Sequence, residues 1–183
     1  MKRGLSILAG SLVLTLYCSA GGFRAGVSIS YYSLADSIYK DTYGSGNLIY
    51  DASLSYDVLK YLEIRGEVGY FKDKGETTLT REEITFSMTP VVIGLRAKLA
   101  KSGKFSPYLG AGIDFVFFKE TARLGDTSDS ATGFHIEAGS YIDLGRSFHL
   151  DLNLRYVKAD AQPLDETIEL GGWRAGVGAG YSF

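Results

Sequence analysis

Cysteine, proline and long apolar runs are what this chain of 183 residues has least of. The one cysteine, Cys18, excludes a disulfide within the chain. Beyond residue 22 no uninterrupted apolar stretch reaches the roughly 18 residues that a membrane-spanning helix needs. Positive charge is also short. Lys and Arg number 19 against 21 Asp and Glu, a net of −2, without the basic footprint of a nucleic-acid binder. No metal-ligand cluster, phosphate loop or nucleophile elbow occurs, so no catalytic residue, metal or cofactor is assigned. A mean hydropathy of +0.03 fits neither a helical membrane protein nor a highly charged disordered chain. What is abundant is Gly (23), Tyr (13) and Phe (10), and with only three Pro this favours β-structure over helix.

The N-terminus stands apart. Lys2 and Arg3 precede the apolar run Leu5 to Leu16, and Cys18-Ser19-Ala20 follow. A basic head, a short apolar stretch and small residues before a cut predict a secretory signal over 1–20, with a mature chain of 21–183. Tyr17 before Cys18 argues against lipid modification of that cysteine. Cleavage after Ala20 removes two of the 19 basic residues and no acidic ones, which leaves the mature chain at −4.

Alternation fills the rest. In the last eleven residues Trp173, Ala175, Val177, Ala179, Tyr181 and Phe183 are apolar, while Arg174, Gly176, Gly178, Gly180 and Ser182 lie between them. Period two means a strand with two unlike faces. Similar runs begin at Phe23, Leu48, Leu62, Val91, Phe105, Phe134 and Phe148, giving eight strands long enough to cross a bilayer when tilted. In the fourth, Phe86 and Met88 fall on the wrong parity, and the expectation is a bulge near Pro90 that switches faces. Short connections are expected at 57–60, 101–104 and 145–147, and long ones at 35–46, 73–82, 119–131 and 159–169. The predicted fold is all-β, an eight-stranded antiparallel up-and-down transmembrane barrel with short turns and both termini on the periplasmic side. Aromatics near strand ends, among them Phe23, Tyr31, Tyr56, Tyr70, Phe117, Tyr156 and Trp173, suit girdles at two interfaces.

Charges on the other parity then point inward. The expected luminal set is Arg24, Arg65, Arg96, Lys98, Arg155 and Arg174 with Asp51, Glu63, Glu67, Asp114, Glu137, Asp143 and Asp151. Six bases nearly balance seven acids, so a lumen filled by salt bridges is expected rather than a diffusion pore. Gly176, Gly178 and Gly180 leave one wall bare. It has two readings: room for Tyr108, Tyr141 or an arginine from across the lumen, or a narrow cavity for a small molecule. Ser147, His149 and Asp151 share a face, but their spacing along one strand does not make a hydrolase triad.

The signal sequence, the eight runs, the segment Pro107-Tyr108-Leu109-Gly110-Ala111-Gly112 and the ending Gly180-Tyr181-Ser182-Phe183 resemble the small outer-membrane β-barrel proteins of Gram-negative bacteria. Outer-membrane protein W and the barrel domain of outer-membrane protein A belong to that group. The resemblance implies residence in the outer-membrane lipid. It also implies handling by periplasmic chaperones and by the barrel-assembly machinery, with Tyr181 and Phe183 as the assembly signal. Two functions stay open at this point. One is a closed barrel with a structural or surface-interaction role through four loops and an extracellular partner not identified. The other is a narrow channel for small or hydrophobic solutes.

Overall fold

The computed structural model describes residues 22–35, 40, 43, 46–76, 83–100, 102–122, 125–161 and 168–183. The expected signal segment and Cys18 lie outside these residues. Nine strands follow in order: β1 (Phe23–Leu34), β2 (Asn47–Leu59), β3 (Leu62–Glu76), β4 (Glu83–Lys98), β5 (Phe105–Ala122), β6 (Gly125–Asp143), β7 (Phe148–Ala161), β8 (Ile168–Glu169) and β9 (Gly172–Ser182). Each long strand pairs antiparallel with its neighbours, and β9 pairs with both β7 and β1, so eight of the nine close a barrel. The two-residue β8 only extends the tip of β7.

Barrel geometry follows from the register. Crossing from Arg24 to Ser55, Arg65, Gly94, Gly112, His135, Val157 and Gly172 returns to β1 at Leu34, ten residues beyond Arg24. A shear of ten over eight strands tilts them by roughly 40° and sets a backbone radius of about 8 Å, which side chains fill. Gly22, Phe183 and the short turns lie at one end, called here the terminal end. The β3–β4 and β5–β6 hairpins rise highest at the other, the hairpin end.

Exposure is inside out. Val27 and Leu54 on the outer face are 66% and 64% exposed, while Glu63 and Arg96 on the inner face are wholly buried. A water-soluble sheet packs the opposite way. The outer face between the aromatic rows carries no charged residue among the described positions of the strands. Only an apolar solvent makes that arrangement stable, and the strands leave no sheet edge within it.

Two sequence expectations need correction. No bulge forms at Pro90. Pairing is in one register on both sides of it, from Val68↔Val91 to Phe71↔Met88, so Ile84, Phe86 and Met88 share the inner face with Arg96. Pro90 removes a ladder donor without turning the strand. What changes at that level is the polarity of the interior. A register shift does occur, but between Asp57 and Leu59 at the β2–β3 turn. The second correction concerns 119–131, expected as a loop: β5 and β6 stay paired as far as Ala122↔Gly125. Thr127, Ser128, Asp129 and Ser130 therefore project on a hairpin arm. At the terminal end, Gly103 supplies the left-handed φ of 61° in the turn that Ser102 and Phe105 close by mutual backbone hydrogen bonds.

Candidate functional site

The lumen is divided into two zones. In the terminal two-thirds, inner positions of seven strands bring opposite charges together. Arg96 donates from Nε to Glu137 at 2.6 Å, and from Nη1 to Asp151 at 3.0 Å and to the Tyr141 hydroxyl at 2.6 Å. Its guanidinium lies 4.1 Å from the Tyr108 ring centre. Arg155 bridges Glu67 at 2.8 Å and Glu137 at 3.0 Å. Arg65 reaches the same Glu67 at 2.9 Å and lies 3.8 Å from Asp151. Arg174 joins Asp51 at 2.5 Å and stands 3.6 Å from Glu67. Nearer the terminal rim, Arg24 grips Asp57 at 2.7 Å and Glu63 at 2.5 Å, while Lys98 also binds Asp57 at 2.6 Å. Asp114 pairs with His135 at 2.7 Å.

Eleven of the thirteen charged residues expected in the lumen thus take part in ion pairs, and a twelfth, Asp114, is hydrogen-bonded to the His135 ring. Asp143 lies half-buried at the terminal rim, where it lines the vestibule with Lys98 and His149. Four participants were not among the expected set. Asp57 was placed in a turn, whereas β2 continues through it. His135 shares the inner parity with Glu137, and that parity was the signal available for it. Tyr108 and Tyr141 donate their hydroxyls to Asp151 at 2.6 Å and Glu63 at 2.7 Å. Charged groups at this depth need such partners, because an unpaired buried charge costs several kcal/mol. Among the described residues the buried side-chain atoms without a hydrogen-bond partner are Ser30 Oγ and Asp51 Oδ1.

Glycines make the packing possible. Gly110, Gly112, Gly139 and Gly180 sit directly across the ladder from Glu137, His135, Tyr108 and His149. A Cβ at each would run into the side chain opposite. The bare wall therefore serves close neighbours rather than groups across the lumen: Gly176 and Gly178 face Ser30 and Ser28, and Gly180 faces His149. A void bounded by Arg24, Ser28, Arg65, Tyr141 and Gly178 holds about 10 Å³, barely the room of one water. A wider vestibule of about 330 Å³ opens below it at the terminal end, beside Lys98, Asp143 and Ser182. His149 Nδ1 lies 3.4 Å from Ser182 Oγ, and Asp151 is engaged by Arg96 and Tyr108.

The hairpin third of the lumen is apolar. Tyr32, Leu34, Ile49, Phe71, Phe86, Met88, Val116, Phe118, Val157 and Leu170 form one buried cluster on inner positions. Phe86 stacks on Phe118 at 6.0 Å and meets the edge of Phe71 at 6.3 Å. The segment after β8 turns inward, so that Leu170 caps the cluster and its carbonyl accepts the Tyr32 hydroxyl at 2.6 Å. Tyr43 closes from the first loop, with its ring 6.0 Å from Phe86 and its hydroxyl donating to Glu120 at 3.2 Å.

At the terminal rim the last aromatics look outward. Tyr181 packs against Phe148 at 5.2 Å and Phe183 at 5.1 Å, and the Phe183 amide donates to the Phe23 carbonyl at 2.9 Å.

A closed antiparallel barrel with an apolar belt, two aromatic rows and a polar, filled interior defines an integral outer-membrane β-barrel protein. The chain belongs to the outer membrane protein beta-barrel domain family, whose sequence model matches residues 6–183. No curated protein matches it. Its fold is similar to that of Neisserial surface protein A, at 13% identity and a TM-score of 0.69, covering 88% of this chain and 97% of that one. It is also similar to outer membrane protein OprG of Pseudomonas aeruginosa, at 16% identity and a TM-score of 0.70, covering 90% and 96%. The attachment invasion locus protein Ail of Yersinia pestis follows at 16% identity and a TM-score of 0.57, covering 89% and 99%.

Proposed function

We propose that this chain is a closed outer-membrane barrel with a structural or surface-interaction role carried by its hairpin end. The observation that carries this reading is the double seal of the lumen, ion pairs along most of its length and an apolar cluster above them. A solute would have to break paired charges and then displace packed rings. The same reading places the termini and the 330 Å³ vestibule on the periplasmic side and the hairpins outside. Outer-membrane barrels keep their short turns on the periplasmic side and their longer loops outside, which supports that orientation. The exposed Tyr181 and Phe183 serve as the signal read by the barrel-assembly machinery after delivery by periplasmic chaperones.

Purified protein in planar bilayers is expected to leave the membrane at baseline conductance. Steady, reproducible current steps would overturn the closed-barrel reading and favour a narrow channel.

A further inference from the structure

We propose that the vestibule at the terminal end is a blind cup that binds the phosphate group of a small water-soluble molecule. The inference takes from the reading above only the compartment, the periplasm, into which the cup opens.

The cup is walled by inner side chains of the terminal rim. Arg24 of β1 and Lys98 of β4 line it, and Tyr141 lies at its floor with the Arg24 guanidinium 5.3 Å from its ring centre. Beyond the floor the lumen narrows to the void of about 10 Å³, so a molecule that enters the cup has no way on. The volume of about 330 Å³ is the room of roughly ten waters, enough for a phosphate carrying a single sugar ring.

Hydrogen-bond donors are in surplus there. Arg24 Nη2 and Lys98 Nζ lie 2.7 and 2.6 Å from the same oxygen, Asp57 Oδ2, so two cations stand side by side on one carboxylate. Arg24 spends three of its five N–H groups on Asp57 and Glu63, and Lys98 spends one of its three on Asp57. Among the described residues the other four N–H groups have no partner. The carboxylates that hold the two bases stand behind them: Glu63 is wholly buried, and neither it nor Asp57 lines the cup. Ser106 and Ser182 add hydroxyls at the rim. A phosphate offers three terminal oxygens to donors converging from several sides, where a carboxylate offers two. Charge points the same way. The bases at this end are Arg24 and Lys98 within the rim and Lys60, Lys104 and Arg146 on the turns that border it. The side-chain carboxylates are Asp57, Glu63 and Asp143. Five against three leaves a surplus of two positive charges, in a chain whose net charge is negative. That surplus matches the charge of about −1.5 to −2 on a phosphate group.

The test is isothermal titration calorimetry on the full mature chain in micelles of an uncharged detergent. The probes are glucose 6-phosphate, glucose and inorganic phosphate. Glucose 6-phosphate is expected to saturate a single site per chain, and glucose to give no binding heat. Lys98→Gln is expected to bind glucose 6-phosphate about tenfold more weakly, the worth of one charge-assisted hydrogen bond. Lys98→Arg keeps the charge and is expected to stay within about twofold of the parent. Lys158→Gln, at the hairpin end of β7, is expected to bind like the parent. Binding of glucose as tight as that of its phosphate, unchanged affinity in Lys98→Gln, or an equal loss in Lys158→Gln overturns the proposal. Inorganic phosphate that binds tenfold more weakly than the sugar phosphate supports a phosphorylated organic ligand; equal affinity supports the same site with free phosphate as its ligand. If Lys98→Gln does not fold, as judged by gel mobility, Lys60→Gln on the exposed turn is expected to lose about threefold, and no loss counts against the site. The compartment is read separately. An impermeant maleimide is expected to label Ser128→Cys on intact cells, and labelling only after lysis would refute the periplasmic placement of the cup while leaving the micelle measurement as it stands.

Discussion

Arg96→Met removes the most connected cation of the lumen. Arg96 is wholly buried and donates to Glu137, Asp151 and Tyr141. Breaking a buried ion pair by deleting one partner costs about 3–5 kcal/mol, because the other charge is left unpaired. Here neither carboxylate is stripped bare. Glu137 keeps Arg155 at 3.0 Å, and Asp151 keeps the Tyr108 hydroxyl at 2.6 Å with Arg65 at 3.8 Å. The expected loss therefore falls at the low end, about 3 kcal/mol. Glu137→Met should cost about as much, as it releases Arg96 and half of Arg155. The double variant R96M/E137M buries neither charge, so its loss should fall short of the sum by about 2 kcal/mol. Lys98→Met is the internal control. Lys98 and its partner Asp57 lie partly exposed near the terminal rim, and Arg24 still holds Asp57 at 2.7 Å, so a loss of about 1 kcal/mol is expected. Urea unfolding in lipid vesicles, followed by Trp173 fluorescence and by gel mobility, measures all four. A loss under 1 kcal/mol for R96M, or additive losses in the double variant, would refute the reasoning that these charges are held by one another.

Gly139→Ala and Gly66→Ala test whether luminal glycines exist for the side chains beside them. At Gly139 a methyl meets the Tyr108 ring and the Leu152 carbonyl, and a loss of about 1–3 kcal/mol is expected. At Gly66, on the outer face, it meets nothing within 4 Å, and the same urea titration should move by less than about 0.5 kcal/mol. Phe86→Ala hollows the apolar cluster and should cost about 3 kcal/mol, yet bilayer conductance is expected to stay at baseline because the ion pairs still close the lumen. Phe183→Ala should slow insertion by reconstituted assembly machinery several-fold while changing stability by less than about 1 kcal/mol, since its ring is 66% exposed and only its backbone amide is tied down.

The barrel was legible because lipid and lumen impose opposite demands on alternate residues, and runs such as Val27-Ser28-Ile29-Ser30 record both. The luminal charges followed from the same parity. What parity could not supply was partner choice: that Glu67 lies against Arg65, Arg155 and Arg174 depends on shear and tilt, not on β3 alone. Asp57 was lost to a turn because the residues after it, Val58 and Leu59, continue an apolar face that a chain end also tolerates. The apolar cluster left a signal that was misread. Phe86 and Met88, Val116 and Phe118, and Val157 are apolar on the inner parity, each near the hairpin end of its strand. One inversion looked like a bulge; several at the same height indicate a change in the interior.

That change has a physical cause outside the barrel. Within the membrane the surroundings are apolar, so apolar side chains face out and the polar ones must satisfy one another inside. Above the headgroups the same strands stand in water, and the ordinary rule returns. Strand β4 carries both regimes in one register. Val91, Ile93 and Leu95 face out opposite an inner Arg96, while Thr85, Ser87 and Thr89 face out opposite inner Ile84, Phe86 and Met88. The crossover falls at Pro90, beside the level of Tyr70 and Phe117. The apolar cluster is therefore the small water-side core that holds the emerging hairpins together, and it closes the lumen as a consequence.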